Sequence, residues 1–262
     1  MLLVLAGCAS VPPDALTFAV LGDTPYTQGE IARLDRLIDD MNEERLAFVL
    51  HLGDIGSAVN ACSDAWLAAR KRQLGRLRHD LIVIPGDNEW SDCPRQMERL
   101  AAWRRLFCDV SLPVEHQPGE YCEHMRWRAA GWLFVTLNVQ GSNNNVRNAA
   151  EHAQRMAAVL AWIDDAESLA RRENLGLALC MQADPFITFP HDGFLALRER
   201  LIALGARMDG RVILVHGDSH TYHDDEPIPG VRRLETWGSP IVSWIRGEVE
   251  RGELRFSAPR YR

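Results

Sequence analysis

The chain has 262 residues, of which 47% are hydrophobic and 25% are charged, a composition typical of a folded globular protein and not of a disordered one. Its formal net charge of −7, with no block of basic residues, argues against duplex nucleic acid as the main partner. The body of the chain contains no apolar run of the roughly 20 residues that a membrane-spanning helix needs. The length predicts one large domain or two small ones.

The first ten residues, MLLVLAGCAS, place a short apolar run directly before a cysteine. Residues 5–8, Leu-Ala-Gly-Cys, resemble the lipobox of bacterial lipoproteins, in which the cysteine is lipidated. The resemblance implies a signal and tether segment over residues 1–16 and an envelope protein, periplasmic or held at the outer membrane through Cys8. The alternative is a chance cysteine, since the run is short and no Lys or Arg precedes it.

Five further cysteines bear on the cellular compartment. Cys180 lies within an apolar run and is expected to be a buried free thiol. The other four lie in polar, loop-like sequence and allow three pairings. We favour Cys62 with Cys93, because each follows a Gly-Asp pair and these pairs are expected side by side, and Cys108 with Cys122. Two disulfides are typical of an exported protein.

Four apolar runs predict buried strands, over residues 17–22, 46–53, 81–85 and 211–216. The runs lack period-two alternation, as expected for strands covered on both faces. Between the first three runs, apolar residues recur at three- and four-residue spacing, which predicts helices. The alternation of strand and helix predicts a parallel sheet with right-handed crossovers.

The second half of the chain predicts a second sheet. YCEHMRWRAAGWLFVTLNV is typical of two antiparallel strands joined at residues 129–131. QGSNNN, at 140–145, predicts a loop, residues 148–170 and 192–204 predict helices, and LGLALC predicts another buried strand. The part from RRLETW onward predicts an antiparallel meander. We therefore expect one α/β domain with two sheets over residues 17–262.

Each of the four apolar runs stops at a Gly-Asp pair. A single such pair is usually a turn, but the carboxyl ends of strands in an α/β sheet meet at one rim, where ligands bind. We expect the glycines to adopt positive φ as the chain leaves each strand. Four crowded carboxylates repel one another unless they are protonated or bind cations. The sequence thus predicts a divalent-metal site that contains Asp23, Asp54, Asp87 and Asp218.

The motifs that carry these carboxylates resemble those of the calcineurin-like metallophosphoesterases. HLGD matches the Gly-Asp motif of that family well. PGDNEW matches Gly-Asn-His-Asp/Glu loosely, MQADP matches the His before Pro loosely, and HGDSH keeps the last His of Gly-His-x-His. The match follows the family's order from about residue 17 to 245. It implies a two-layered β sandwich flanked by helices, with two divalent metal ions at the strand ends.

The resemblance also assigns ligands position by position. Asp54 would bridge the two ions and aim the catalytic water. The remaining ligands divide between the ions, with Asp23 and His220 on the first, and Asp87 or Asn88, Asp218 and a group from Gln182 to Asp184 on the second.

Three positions depart from the family's pattern. Pro25 stands where the first motif has His, Asn88 where the third has its catalytic His, and Asp218 where the fifth has its first His. Because oxygen ligands replace most of the imidazoles, Mn²⁺ or Mg²⁺ is favoured, and Fe or Zn is also compatible.

Three further residues are candidates for a substrate pocket. Tyr26 would supply an oxygen where the first motif lacks its His, and His223 continues the loop of the fifth motif. Trp90 either forms a wall of the pocket or packs over the sheet edge. His51 and His216 lie at buried strands and are expected to be hydrogen-bonded core groups and not ligands.

Taken together, the resemblance implies a metal-dependent phosphoesterase that hydrolyses a small phosphate mono- or diester through a water activated by two metals. The alternative is a binding protein on the same fold that holds a metal or phosphate without turnover, since an amide at Asn88 cannot act as a general acid. An envelope scaffold that uses neither explains the rim carboxylates less well.

Overall fold

Two β-sheets pack face to face, and helices cover the outer surface of each, in the computed structural model, which describes residues 15–258. In chain order the strands are β1 (Ala15–Leu21), β2 (Phe48–His51), β3 (Asp80–Val83), β4 (Glu115–His116), β5 (Met125–Ala129), β6 (Trp132–Thr136), β7 (Gly176–Cys180), β8 (Val212–His216), β9 (His223–Ile228), β10 (Val231–Glu235), β11 (Ile245–Glu250) and β12 (Glu253–Ser257). The helices are α1 (Gln28–Glu43), α2 (Asp64–Leu74), α3 (Gln96–Phe107), α5 (Ala149–Glu173) and α6 (Leu195–Arg207). The short element α4 (Gly141–Asn144) is a single turn with left-handed backbone at Ser142 and Asn143, within the loop predicted at 140–145. The predicted two-sheet α/β class is confirmed.

The first sheet has the order β12-β11-β1-β2-β3. β1, β2 and β3 are parallel, as the alternation of strand and helix predicts. Thr27 and Ser63 cap the N-termini of α1 and α2, because the hydroxyl oxygen of each accepts a hydrogen bond from the backbone N–H three residues on. Apolar side chains of α1, α2 and α3, such as Leu34 and Trp103, are buried against the outer face of this sheet.

The second sheet has the order β4-β5-β6-β7-β8-β10-β9. The predicted hairpin of β5 and β6 is confirmed, and β6, β7, β8 and β10 run parallel. Helices α5 and α6 cover its outer face. Between the sheets, the rings of Phe18, Phe48 and Phe134 pack with centroids 4.9–5.2 Å apart. Burial of these aromatic rings holds the two layers together.

The prediction of one C-terminal meander is wrong. β10 pairs in parallel with β8 and antiparallel with β9 in the second sheet, whereas β11 and β12 form a hairpin that pairs with β1 in the first. The chain therefore crosses from one sheet to the other over residues 236–244. Turn signals along the chain mark where strands end, but they carry no information about which sheet a strand joins.

The cysteine predictions are confirmed. Cys62 is bonded to Cys93 and Cys108 to Cys122, and Cys180 is a buried free thiol. The first disulfide joins the loop after β2 to the loop after β3, so it lies just beyond two of the Gly-Asp pairs.

The N-terminal lipobox and Cys8 lie outside the described residues. Of the predicted tether over 1–16, only residues 15 and 16 are described, and they begin β1. Within residues 15–258, none of the helices combines the length and the apolar character that a bilayer crossing demands.

Candidate metal centre

The four Gly-Asp carboxylates meet at the rim where the strands of both sheets end. The backbone N–H of Asp218, from the second sheet, donates a hydrogen bond to Asp23 Oδ2 of the first at 3.0 Å. Asp54 and Asp87 follow the neighbouring strands β2 and β3. Asp87 Oδ1 and Asp218 Oδ1 both lie so close to Gly141 that a Cβ atom at that glycine would be within 3.0 Å of each. The convergence predicted from the sequence is therefore present.

The glycines of these pairs make room for carboxylates that belong to other strands. A Cβ atom on Gly86 would collide with Asp54 Oδ1, and one on Gly217 would collide with Asp23 Oδ2. Each glycine thus lets a carboxylate from a neighbouring motif approach the backbone.

The expectation of positive φ at the glycines holds only for Gly53, at +99°. Three of the aspartates also have positive φ, at 52° for Asp23, 53° for Asp54 and 80° for Asp218. Asp tolerates the left-handed region better than most residues, because its short polar side chain bonds locally. At Gly22-Asp23 and Gly217-Asp218 the aspartate alone turns the chain, at Gly53-Asp54 both residues do, and at Gly86-Asp87 neither has positive φ.

The negative charge of the rim is not balanced by protein cations. Among residues 15–258, no Lys or Arg forms an ion pair with any of the four carboxylates, and the single cationic candidate is His220, whose Nε2 lies 3.8 Å from Asp23 Oδ1. Burial, with repulsion from Asp218, raises the pKa of Asp23 well above its usual range. Burial, with repulsion from Asp87, does the same to the pKa of Asp54. Such carboxylates need either protons or bound cations.

Two buried carboxylate oxygens of the rim accept no hydrogen bond from residues 15–258. Asp23 Oδ1 and Asp87 Oδ1 are buried, and no donor of the described protein reaches them. A buried oxygen without a hydrogen bond from the protein is costly, and such atoms are candidate ligands for an ion or a water. The two atoms define two half-sites, one where Asp23 Oδ1 faces His220 and one where Asp87 Oδ1 faces Asp218. The donor set fits one divalent cation in each half.

The rim carboxylates are spaced more widely than the ligands of one closed ion site. Within the described part of the chain, the one group of three His, Cys, Asp or Glu ligand atoms that lie within 4.8 Å of one another is Cys108, Cys122 and Glu123. Its two sulfur atoms form a disulfide, so it is not a metal site. At the rim, the candidate ligands are instead divided between two half-sites.

Asp54, Tyr26 and Asn88 form one hydrogen-bonded unit in the first sheet. Asp54 Oδ2 accepts from Tyr26 Oη at 2.7 Å and from Asn88 Nδ2 at 2.6 Å, and Asp54 Oδ1 accepts from the Asn88 backbone N–H at 3.2 Å. Burial, with repulsion from Asp54, raises the pKa of Tyr26, so the phenol stays neutral and donates. The structure thus brings together three of the residues predicted for the site.

Glu89 was missed by the sequence reasoning. Its fully buried carboxylate accepts from the backbone N–H groups of Asp54 at 3.0 Å, Ile55 at 2.7 Å and Gly86 at 2.7 Å, which ties the second motif to the third. Burial raises its pKa to about 8. The signal was available, since the family's third motif ends in Asp or Glu at this position. Glu89 therefore positions the loops that carry Asp54 and Asp87.

Gln182 and Asp184 orient Asp218. Gln182 Nε2 donates to Asp218 Oδ1 at 3.2 Å, while its Oε1 accepts from the Gly141 N–H at 2.5 Å. The backbone N–H of Asp184 donates to Asp218 Oδ2 at 3.2 Å, and its own Oδ1 accepts from Phe186 N–H at 2.9 Å. Both residues lie at the rim, but Gln182 Oε1 and Asp184 Oδ1 already accept hydrogen bonds from backbone N–H groups.

His220 is placed as the sequence predicts. Its Nδ1 lies 2.7 Å from the carbonyl oxygen of Ser239, so Nδ1 carries the proton and Nε2 is left to face Asp23. The ring also packs edge-on against Tyr26, with centroids 5.3 Å apart. A hydrogen-bonded Nδ1 with an open Nε2 is the usual arrangement of a metal-binding histidine.

The two remaining pocket candidates, His223 and Trp90, differ in their surroundings. His223 Nδ1 contacts Glu235 Oε2 at 2.6 Å, and this buried carboxylate also accepts from the hydroxyl of Ser219, next to Asp218 in the fifth motif. Trp90 as a pocket wall is wrong, because the residue is completely buried and its ring packs under Arg155 at 5.6 Å. A large apolar ring gains more from burial in the core than from lining a polar rim.

The two buried histidines are confirmed as hydrogen-bonded core groups. His51 Nε2 lies 3.0 Å from the Thr24 carbonyl oxygen, and His216 Nδ1 lies 2.9 Å from that of Gly217.

Comparison with known proteins shows similarity of fold at low sequence identity. No family model and no curated sequence matches the chain. A dimetal phosphatase from Danio rerio is similar over 93% of this chain and 95% of its own, with 15% identity and a TM-score of 0.65. GAP50, the anchor in the inner membrane complex of Plasmodium, is similar over 93% and 84%, with 12% identity and a TM-score of 0.61. A purple acid phosphatase from yellow lupin (Lupinus luteus) seeds is similar over 95% of this chain and 53% of its own, with 14% identity and a TM-score of 0.56. The chain therefore has the calcineurin-like metallophosphoesterase fold that its motifs imply.

Proposed function

We propose that the protein is a metal-dependent phosphoesterase that hydrolyses a small phosphate mono- or diester. The observation that carries the proposal is the pair of orphaned carboxylate oxygens, Asp23 Oδ1 and Asp87 Oδ1, in a rim of four carboxylates. Without cations this rim would repel a phosphate anion. With a divalent ion in each half-site, the same carboxylates would hold the charge that binds phosphate.

The ligands divide by donor chemistry. Asp23 Oδ1 and His220 Nε2 would hold the first ion, Asp87 and Asp218 the second, and Asp54 would lie between them. When bound, two such ions lower the pKa of a shared water and neutralise the phosphate oxygens. The second half-site offers only oxygens and favours Mg²⁺ or Mn²⁺, whereas the imidazole in the first also suits Fe or Zn. Gln182 and Asp184 would act by orienting Asp218.

The site offers no proton donor for the leaving group at the position of Asn88. Asn88 lies where the family has its catalytic histidine, and its amide donates hydrogen bonds to Asp54 Oδ2 and Tyr26 Oη. An amide and a neutral phenol both stabilise an anionic phosphate oxygen by donating a hydrogen bond. An amide does not deliver a proton to a leaving alkoxide. We therefore propose that substrates whose leaving group has a low pKa react fastest.

We also propose that the protein acts in the bacterial envelope, anchored through Cys8. The two disulfides support export, because disulfides persist in the periplasm and are rare in the cytosol.

A second candidate function is binding without turnover. The observation that favours it is that Tyr26 and Asn88 both donate to Asp54 Oδ2, the oxygen that a bridging ligand would offer to metal. A protein of this kind would hold a cation or phosphate on the same rim and release it unchanged.

The test combines metal analysis with hydrolysis. Protein loaded with Mn²⁺ is expected to retain about two ions per chain and to hydrolyse an aryl phosphate mono- or diester. Asp54→Asn should lower both the metal content and the turnover, because it removes a charge shared by two cations. Asp40→Asn, an exposed residue on α1, is the control and should change neither. Metal uptake with no hydrolysis of either ester favours the binding protein, and absence of uptake contradicts both functions.

A further inference from the structure

The segment over residues 141–145, called here the left-handed turn, has an unusual backbone beside the rim. Ser142, Asn143, Asn144 and Asn145 all have positive φ, between 48° and 56°. Residues other than Gly enter this region singly, with Asn the most tolerant. Four in succession persist only where surrounding contacts hold them, and such segments concentrate at functional sites.

Arg155 of α5 supplies those contacts. Its side chain is completely inaccessible, and Nη1 donates to Asn138 O at 2.9 Å and to Asn144 Oδ1 at 2.7 Å. Nη2 donates to the backbone oxygen of Asn144 at 3.0 Å, and Nε donates to Glu151 Oε1 at 2.6 Å. A buried guanidinium is costly unless paired and hydrogen-bonded. This one is neutralised by its own helix and directs three of its hydrogen bonds at the turn and at Asn138, which leads into it.

The left-handed turn also contacts the second half-site. Ser142 Oγ lies 2.8 Å from Asp87 Oδ2 and 2.8 Å from Asp92 Oδ2, so its hydroxyl bridges the two carboxyl groups. Gly141 N–H donates to Gln182 Oε1, and the Gln182 amide donates to Asp218 Oδ1. Asp87 is 7% exposed, and its Oδ1 has no partner. A Cβ atom on Gly141 would lie 2.8 Å from that oxygen and still closer to Asp218 Oδ1. The turn thus binds one oxygen of Asp87 and leaves the other aimed into the space beside Gly141.

We propose that the left-handed turn is the wall of the second cation half-site and that Arg155 is its positioning residue. The proposal rests on the metal centre proposed above. The missing side chain at Gly141 leaves room for the ion between the two carboxylates, and Arg155 keeps that glycine in place. The occupant is a small divalent cation that prefers oxygen ligands, such as Mn²⁺ or Mg²⁺.

Calorimetric titration of the metal-free chain with Mn²⁺ tests the wall without reference to activity. Gly141→Ala is the sharpest variant, because φ at this glycine is outside the left-handed region and alanine fits the backbone, while its methyl group would enter the space between the two oxygens. We expect wild type to bind two ions, and Gly141→Ala to bind one with unchanged affinity and the other at least tenfold more weakly. Two ions bound by Gly141→Ala with wild-type affinities would overturn the wall.

Arg155→Met tests the positioning role. Arg207→Met is its matched control, because Arg207 forms a bidentate pair with Glu167 of the same helix, at 2.6 and 2.7 Å, and bonds neither the turn nor the rim. Both variants lose one ion pair on α5, but only Arg155→Met should lose the second ion. Equal ion binding by the two folded variants overturns the role of Arg155. If Arg155→Met does not fold, Ser142→Ala takes its place, with weaker binding of the second ion expected and unchanged binding contrary to the proposal.

These outcomes separate this proposal from the proposed function. A wild type that binds no Mn²⁺ contradicts the metal centre, and the wall with it. A wild type that binds two ions, together with variants that also bind two, leaves the proposed function intact and overturns the wall alone.

Discussion

Binding of divalent ions should release protons from the metal-free rim. Burial, with repulsion from Asp218, raises the pKa of Asp87 to about 7, from a usual 3.8. Burial raises the pKa of Asp23 and Asp54 as well. Because a carboxylate binds metal only in its ionised form, each protonated ligand must lose a proton when the ion arrives. The expected result is an ion affinity that depends steeply on pH.

The magnitude follows from Asp87. At pH 6 a group with a pKa of about 7 is about nine-tenths protonated, so occupation of the second half-site releases close to one proton from this residue alone. Each proton released lowers the apparent association constant about tenfold per pH unit below that pKa. Asp23 and Asp54 add to this number.

The same shift sets the sign of the stability change. The folded metal-free protein holds a proton on Asp87 more tightly than the unfolded chain does. The contribution of this proton to the free energy of unfolding is therefore fully present below about pH 4 and is lost as the pH rises towards 7. The slope for one such group is about 1.4 kcal/mol per pH unit. Carboxylates with lowered pKa, such as Glu167 beside Arg207, act in the opposite direction. Carboxylates outside the site contribute equally to the stability of metal-loaded and metal-free protein, so the difference in stability between the two forms removes their contribution. This difference should grow with pH.

Two measurements check this. Titration with Mn²⁺ at pH 6 in two buffers of different ionisation enthalpy gives the number of protons released, and Asp87→Asn should release fewer than wild type. Thermal unfolding with Mn²⁺ or with chelator, from pH 4.5 to 7.5, gives the stability difference. Equal heats in both buffers, or a metal stabilisation that does not grow with pH, would refute the reasoning.

Three other predictions concern separate parts of the chain. Replacing both Cys62 and Cys93 by Ala should lower the free energy of unfolding in urea by about 3.7 kcal/mol, from the 31-residue separation that the disulfide closes, and a loss below about 1 kcal/mol would contradict this estimate. Wild type should hydrolyse aryl phosphates far faster than alkyl phosphates, and Asn88→His should reduce this preference by supplying a proton donor; equal wild-type rates on both classes would show that a donor is already present. Cys8→Ser, expressed with its full leader, should leave the membrane fraction, whereas identical soluble fractionation of variant and wild type would exclude lipidation.

The sequence was sufficient to predict those features whose signal lies within a short stretch of the chain. An apolar run that ends at Gly-Asp marks both a buried strand and the residue at its end, so the rim carboxylates and the pairing of Cys62 with Cys93 could be predicted. Glu89 could have been identified from the Asp or Glu that ends the family's third motif. Arg155 could not be predicted, because its role consists of hydrogen bonds to a segment elsewhere in the chain, and nothing in QGSNNN reveals a left-handed turn. The prediction that Trp90 forms a pocket wall was wrong for a related reason, since the position of a residue beside a motif does not fix the direction of its side chain.

The recurrence of Gly-Asp has a physical cause that becomes visible only in three dimensions. The glycine of the third pair, Gly86, leaves space for Asp54 of the second, and the glycine of the fourth, Gly217, leaves space for Asp23 of the first. A side chain at either glycine would therefore displace a carboxylate that lies in a different motif. The pair is thus a contact between strands as well as a turn at the end of one. This contact explains why the two residues recur together at a rim where carboxylates must converge.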